Sequence, residues 1–184
     1  AYGISKLQCE RGISILEDDS FKPILFRKGT VGGWSQRMRY DLVVNTMLMT
    51  AFTKGEITVN SPNLWRPLID IRDVISGYKL AIDCDENISG VFNLSGGNCT
   101  IGELGDTIHK ALALQGHDVK VNYLDVADVR NYKVSTSSIE DVLGFKAQYT
   151  PADSVSEILS NIDIETYDFN NSKYYNITTF KEVV

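Results

Sequence analysis

Tyr2 and Lys6 stand four residues apart in Tyr2-Gly3-Ile4-Ser5-Lys6 and could do acid/base chemistry together. On a helix that spacing puts them on one face, about one turn from each other. A phenol with a reference pKa of about 10 is a poor base at neutral pH. A nearby ammonium favours the phenolate, and a second positive charge, such as an oxidised nicotinamide, favours it further. The pair therefore suits moving a proton on or off an alcohol while hydride passes to or from a cofactor. The spacing alone also fits an ordinary helix surface, the commoner origin of such a pair.

The elements that must position these residues are legible as patterns. Residues 2 to 17 predict a helix, with Tyr2, Lys6, Cys9, Ile13 and Leu16 in one stripe, ended by Asp18-Asp19-Ser20. Residues 24–31 predict one buried strand that breaks at Gly32-Gly33, followed by an Arg-rich loop from Trp34 to Arg39. A second helix is expected from Tyr40 to Lys54, stopping at Gly55. Ile57-Thr58-Val59 and Trp65 to Ile69 are extended, and Asp70 caps a helix running to Cys84, with Asp73 in its first turn. Val91 to Leu94 is a strand.

Thr100 and Glu103 form a capping box for a helix closed by Gly116. Val119 to Leu124 alternates as a strand does. Ser137 with Glu140 caps a short helix ending at Gly144, and Thr150-Pro151 opens another. From Glu165 the chain is polar and aperiodic, and reads as a loosely attached tail with room for one added strand. Strands alternating with helices make the chain α/β.

Tyr-Gly-Ile-Ser-Lys, the long helix it opens and the strand Ile24-Leu25-Phe26-Arg27 resemble the second half of an extended short-chain dehydrogenase/reductase. That superfamily holds the NAD-dependent nucleotide-sugar epimerases and dehydratases. The resemblance covers residues 1 to 162. It implies the C-terminal portion of an extended Rossmann-type reductase: the last part of the doubly wound sheet plus the small substrate-binding domain. Residues 1–33 would end the dinucleotide-binding domain. Residues 34–164 would be mainly substrate-binding domain, partly interleaved with it, and residues 165–184 a tail.

In this resemblance Tyr2 is the catalytic acid/base, and Lys6 lowers its pKa and bonds the nicotinamide ribose. Arg27-Lys28-Gly29-Thr30-Val31-Gly32-Gly33 is similar to the family's Arg-x-x-Asn-Val-Tyr-Gly, which places Thr30 and Val31 at the cofactor. Thr30 stands where Asn is usual and Gly32 where Tyr is usual, so a backbone role fits better than a side-chain one. Asn45, in the segment Arg37 to Asn45, would meet a substrate oxygen; a backbone carbonyl is the other partner open to it. Trp65-Arg66-Pro67-Leu68-Ile69-Asp70-Ile71-Arg72-Asp73-Val74 resembles the strand-to-helix passage Arg-Asp-Phe-Ile-His-Val-Asp-Asp-Val. Arg66 falls on the diphosphate contact, and Asp73 is read as a structural cap. Phe92-Asn93-Leu94-Ser95 resembles Tyr-Asn-Ile-Gly, with an architectural Asn. Asp128-Val129-Arg130 resembles the Asp-x-Arg that closes the substrate site, with Arg130 as a second clamp.

The parent would use NAD or NADP on a nucleotide-diphospho-sugar. The Gly-rich phosphate-binding turn lies far upstream of the Tyr in that family and is not in this sequence. The chain as given is therefore expected to bind no cofactor and to be inactive. The competing class is a non-catalytic sugar-nucleotide-binding or structural remnant.

Composition sets the remaining bounds. The 184 residues, 43% apolar and 23% charged, allow one sizeable core. A net charge of −6 argues against broad nucleic-acid binding, and no apolar run is long enough to span a membrane. Cys9, Cys84 and Cys99 have neither metal nor disulfide-framework spacing, so no metal is expected and a reducing cytoplasm is the simplest compartment. His109 and His117 pair with no nucleophile and are read as structural or solvated. The helix partner lost with the missing half predicts a homo-oligomer.

Overall fold

The first helix, α1 (Tyr2–Ser14), ends three residues before the expected residue 17, and the turn beyond it is built on Asp18. Its carboxylate accepts from the backbone N–H of Ser20 at 2.7 Å and of Phe21 at 2.9 Å, folding the chain into a turn that no helix can continue. These observations come from a computed structural model, which describes residues 2–126 and 130–176. No residue of α1 is buried: Ile4 is 67% exposed and Ile15 beyond it 82%.

The strand expected over 24–31 is two strands in two different sheets. β1 (Ile24–Lys28) ends at Gly29, and β2 (Thr30–Gly32) begins beyond it. The Gly29 N–H donates to the Leu94 carbonyl at 2.9 Å, closing the first pairing. A Cβ at Gly29 would stand 3.1 Å from the Pro67 backbone, so any larger residue at the crossing point would press that backbone aside by a few tenths of an ångström.

The next elements are α2 (Val43–Lys54), β3 (Glu56–Asn60), β4 (Trp65–Asp70), α3 (Ile71–Asp83), β5 (Gly90–Leu94) and β6 (Gly97–Thr100). They are followed by α4 (Ile101–Leu114), β7 (Lys120–Leu124), α5 (Ser137–Leu143), α6 (Pro151–Asn161) and a 3-10 turn at Ser172–Tyr174. β1 pairs with β5 in parallel, Ile24 opposite Gly90. β2 runs parallel to β4, Val31 opposite Ile69, and β6 joins β4 antiparallel. β3 and β7 make a separate parallel pair. Strands interleaved with helices and paired mainly in parallel give the expected α/β class.

Most expected caps are in place. Asp70 accepts from Arg72 N, Thr100 and Glu103 form a reciprocal box, and Thr150 caps α6 with Pro151 in its first turn. Gly55 and Gly144 close their helices in the left-handed conformation, at φ 69° and 65°. Three expectations are corrected. α2 starts at Val43 and not Tyr40, because Tyr40 is drawn into the core at 2% exposure. α5 is preceded by Thr136, whose hydroxyl bonds Glu140; Ser137 is its first residue, not its cap. The tail is not loose over its described part, since Phe169 and Tyr174 are each 6% exposed, and no strand is added there.

Two apolar clusters hold the elements. Val44, Leu48, Ile57, Val59, Ile108 and Ile158 typify the larger, built by α2, β3, α4 and α6. Ile69, Val74, Phe92, Leu94, Ile139 and Phe145 make most of the smaller, between β4, β5, α3 and α5. Each such side chain contributes about 1.5–3 kcal/mol on burial.

Candidate functional site

The helix that carries Tyr2 and Lys6 forms one wall of an open cleft of about 1220 Å³. β1, β2 and the loop from Gly33 to Arg39 form the opposite side, and Leu42, Asn45 and Ile71 are also among the lining residues. The Lys6 Nζ lies 5.5 Å from the Tyr2 ring centroid, as the four-residue spacing requires. α1 is tied across the cleft by Glu10, which accepts from Arg27 Nε at 2.7 Å. That hydrogen bond holds the Glu10 carboxyl below its ordinary range.

Of the residues singled out from sequence, Tyr2, Lys6, Thr30, Val31 and Asn45 line this cleft together. Asn45 is 4% exposed, and its Nδ2 donates to the Arg39 carbonyl at 3.1 Å. Its Oδ1 is buried without a hydrogen-bond partner among the described residues. Both partners weighed for this side chain therefore have a place. The amide N–H serves the backbone carbonyl, and the oxygen is left as an acceptor for a hydroxyl or N–H.

The cleft also holds residues not singled out. Arg39 is clamped by Asp41 through Nε at 3.0 Å and Nη2 at 2.9 Å, and that pairing raises its pKa further above its ordinary value. Arg37 Nη2 donates to Asn176 Oδ1 at 2.6 Å. The run Arg37-Met38-Arg39-Tyr40 carried a usable signal. Met38 and Tyr40 are 1% and 2% exposed, so the alternation sends both Arg side chains to the other side. Nothing in the sequence pointed to Asn176.

Lys6, Arg27, Lys28, Arg37 and Arg39 line the cleft with a single acid, Glu10; Arg27 is paired with Glu10 and Arg39 with Asp41, which leaves Lys6, Lys28 and Arg37 as the excess. In a chain of net charge −6 this is a marked segregation of charge. A cleft with one sign of charge draws ligands of the other.

Arg66 and Arg130 are neighbours but do not line the cleft. Arg66 is 8% exposed, and its Nη1 donates to the Trp65 carbonyl at 2.8 Å and to the Arg130 carbonyl. The loop beyond Arg130 is latched to the sheet. Trp65 N donates to Asn131 Oδ1 at 3.0 Å, and Asn98 exchanges two 2.9 Å hydrogen bonds with the Val134 backbone. Asp128 and Val129 of the quoted motif lie outside the described residues. Asn93 donates to the Ser135 carbonyl at 3.0 Å, in keeping with an architectural role.

Asp73 is wholly buried and accepts from the backbone N–H of Gln148 at 3.0 Å and of Tyr149 at 3.1 Å. It thus ties α3 to the chain entering α6, a role beyond capping. Beside it a smaller cavity of about 180 Å³ is lined by Leu68, Asp70, Cys99, Tyr149 and Ser154 among others. Burial pushes the Cys99 thiol up to about 11, which keeps it protonated and inert. His117 packs edge-on against Phe52 at 5.2 Å, a structural contact. Among the described residues no group of three or more His, Cys, Asp or Glu could hold a metal ion, and no helix is long and apolar enough to cross a membrane.

The residues present fit one end of a dinucleotide. Tyr2, Lys6 and the β1–β2 backbone share the cleft as a nicotinamide ribose requires, while no Gly-rich turn for the pyrophosphate occurs in residues 1–184.

No protein-family model matches the sequence. Solved structures do share the fold. The chain is similar to ADP-L-glycero-D-manno-heptose-6-epimerase from Helicobacter pylori (TM-score 0.74, 19% identity, 90% of this chain, 51% of that one). It is similar to UDP-N-acetylglucosamine 4-epimerase from Bacillus cereus (TM-score 0.71, 23% identity, 91% and 56%). It also matches UDP-glucuronic acid 4-epimerase from Bacillus cereus, a protein solved in complex with UDP-glucuronic acid and NAD (TM-score 0.71, 20% identity, 89% and 52%). The chain spans about half the length of each. Its fold is the Rossmann-type α/β fold over about half of each of those chains.

Proposed function

We propose that this chain supplies the acid/base pair and the sugar-nucleotide side of an NAD(P)-dependent nucleotide-sugar epimerase or dehydratase. The observation that carries the reading is the cleft itself. It gathers Tyr2, Lys6, the β1–β2 turn and the buried, unpartnered Asn45 acceptor around one basic cleft in an acidic protein. The fold shared with nucleotide-sugar epimerases supports it. In this reading residues 1–33 close the dinucleotide-binding domain, and residues 34–164 are mainly substrate-binding domain.

When bound, the nicotinamide supplies a hydride acceptor for a sugar carbon. The phenolic oxygen of Tyr2 takes the proton of the sugar hydroxyl, and Lys6 holds the ribose one helical turn away. Thr30 and Val31, which line the same cleft, would hold the nicotinamide through their backbone groups. Asn45 Oδ1 accepts a hydrogen bond from a sugar hydroxyl, which fixes the ring for the transfer. Arg66 and Arg130 hold the diphosphate from the β4 side, Arg66 as a fork whose Nη1 is already committed to backbone carbonyls.

The test joins composition to chemistry. The 184-residue chain alone binds NAD weaker than micromolar by calorimetry. When the coding sequence preceding Ala1 supplies a Gly-x-x-Gly-x-x-Gly turn after an apolar strand, the extended product turns over a nucleotide-sugar. In that product Tyr2→Phe lowers kcat by about 10²–10⁴-fold, the usual range for a lost general acid/base. Tight NAD binding by the short chain contradicts the cofactor division. Unchanged turnover in Tyr2→Phe contradicts the catalytic assignment and leaves the non-catalytic remnant.

A further inference from the structure

The C-terminal segment reaches the cleft. Tyr167, Phe169, Tyr174 and Tyr175 close over Tyr40, their ring centroids 5.5–6.3 Å from its own. The Tyr40 N–H donates to the Tyr174 carbonyl at 3.2 Å, so the strap is pinned to the loop that bears Arg37 and Arg39. Two residues past Tyr174, Asn176 lines the cleft, and its Oδ1 receives the 2.6 Å hydrogen bond from Arg37.

The chemistry of that contact differs from the one beside it. Asp41 meets Arg39 with a carboxylate and so compensates its charge. Arg37 is exposed, and among the described residues no carboxylate lies within ion-pair distance of it. Its anchor is a neutral amide oxygen. One nitrogen of the fork is fixed, the other donors stay available, and the positive charge is kept whole. A long side chain with many rotamers otherwise loses freedom when it meets a ligand, and an anchor removes part of that cost beforehand.

We propose that Asn176 is a positioning residue of the cleft. Delivered by the aromatic strap of residues 167–175, it holds Arg37 as the uncompensated cation that meets the anionic part of the ligand. The nature of that ligand rests on the nucleotide-sugar reading above; the positioning does not.

The experiment uses the 184-residue chain and native cleavage by trypsin after Arg37, read by mass spectrometry. Such cleavage follows the population of the locally opened loop. Asn176→Ala is expected to speed it about tenfold, the worth of one hydrogen bond to a charged group, with the thermal midpoint unchanged. Asn176→Asp keeps an acceptor oxygen and returns the rate to that of the wild type or below. An unchanged rate in Asn176→Ala overturns the proposal. So does a faster rate that Asn176→Asp fails to restore, or one that comes with a lower midpoint and faster cleavage everywhere.

Titration with uridine diphosphate supplies the second reading. Arg37→Ala and Asn176→Ala weaken binding, and the double variant is no weaker than Arg37→Ala alone. Additive losses overturn the positioning role. Failure of the wild-type chain to bind the probe counts against the nucleotide-sugar reading, while the protease result still decides the role of Asn176.

Discussion

Removing the Asp73 carboxylate tests how the smaller core is joined to α6. Its two oxygens satisfy the N–H groups of Gln148 and Tyr149, which lie in sequence just ahead of the Thr150 cap. Asp73→Ala leaves both part-buried N–H groups without that partner, against a site whose carboxylate is wholly buried. Each unsatisfied buried group costs about 1–3 kcal/mol. Loss of an acid from the first turn of α3 adds about 0.3–1 kcal/mol. Relief from burying a charge offsets part of this, so the net loss is about 2–5 kcal/mol.

With a urea slope of about 2 kcal/mol per molar, the unfolding midpoint should fall by about 1–2.5 M at an unchanged slope. Asp73→Asn keeps one acceptor and turns an N–H toward the other donor, and should fall between wild type and Ala. Amide exchange at Gln148 and Tyr149 should accelerate in both variants. A midpoint in Asp73→Ala within about 0.3 M of wild type would refute the reasoning, because two part-buried hydrogen bonds to a wholly buried carboxylate cannot be lost at so small a cost.

Association should follow from the uncovered helix: α1 buries none of its residues, and among the described residues β1 pairs with β5 alone. Light scattering behind a sizing column should report a dimer or larger homo-oligomer, and a folded, soluble 20.5 kDa species at micromolar concentration would count against it. Acid should unfold the chain through Asp70 and Asp153. Burial acts to raise the Asp70 pKa but is outweighed by hydrogen bonds from Arg72 and Ser154, and the Thr150 hydroxyl lowers that of Asp153. Groups whose folded pKa is depressed contribute stability above the unfolded value of about 3.9, which is lost as pH falls through the folded value. The thermal midpoint should hold from pH 7 to 5 and drop below about pH 4, less steeply in Asp70→Asn; a midpoint flat down to pH 3 would contradict the assignment.

What the sequence made legible was what is decided locally. Thr100 with Glu103, Thr150 with Pro151, and Gly55 and Gly144 are signals within four residues of the helix ends they set. The break at Gly29 was not legible because the chain there leaves β5 for β4 and passes the Pro67 backbone, 38 positions away along the chain and 3.1 Å from where a Cβ would stand. The tail misled for a similar reason. Tyr167, Phe169 and Tyr174 carry no helical or strand period, and their burial depends on Tyr40, far behind them in sequence. Within the cleft, the pair at i and i+4 could be read from spacing. The partnership of Arg37 with Asn176 joins residues 139 apart and could not.

Arg66 shows how a motif can be matched at its position and still carry a duty the match does not describe. The guanidinium spends Nη1 on the carbonyls of Trp65 and Arg130, which fastens the loop beyond β7 onto β4. Asn131, Asn98 and Asn93 fasten the same loop to β4, β6 and β5 in turn. A loop held at four points has little freedom left to lose when a ligand arrives. The backbone at Arg130 is thus set before binding, and the Arg66 fork is oriented by the contacts that set it. On the cleft side Lys6 and Arg37 sit on two different elements, α1 and the Gly33–Arg39 loop. That loop takes its position from the strap over Tyr40. The β4 side is fixed by short polar links within the sheet, and the cleft side by aromatic packing from the far end of the chain. Loosening the strap should therefore reach Arg37 and Arg39 before it reaches Arg66.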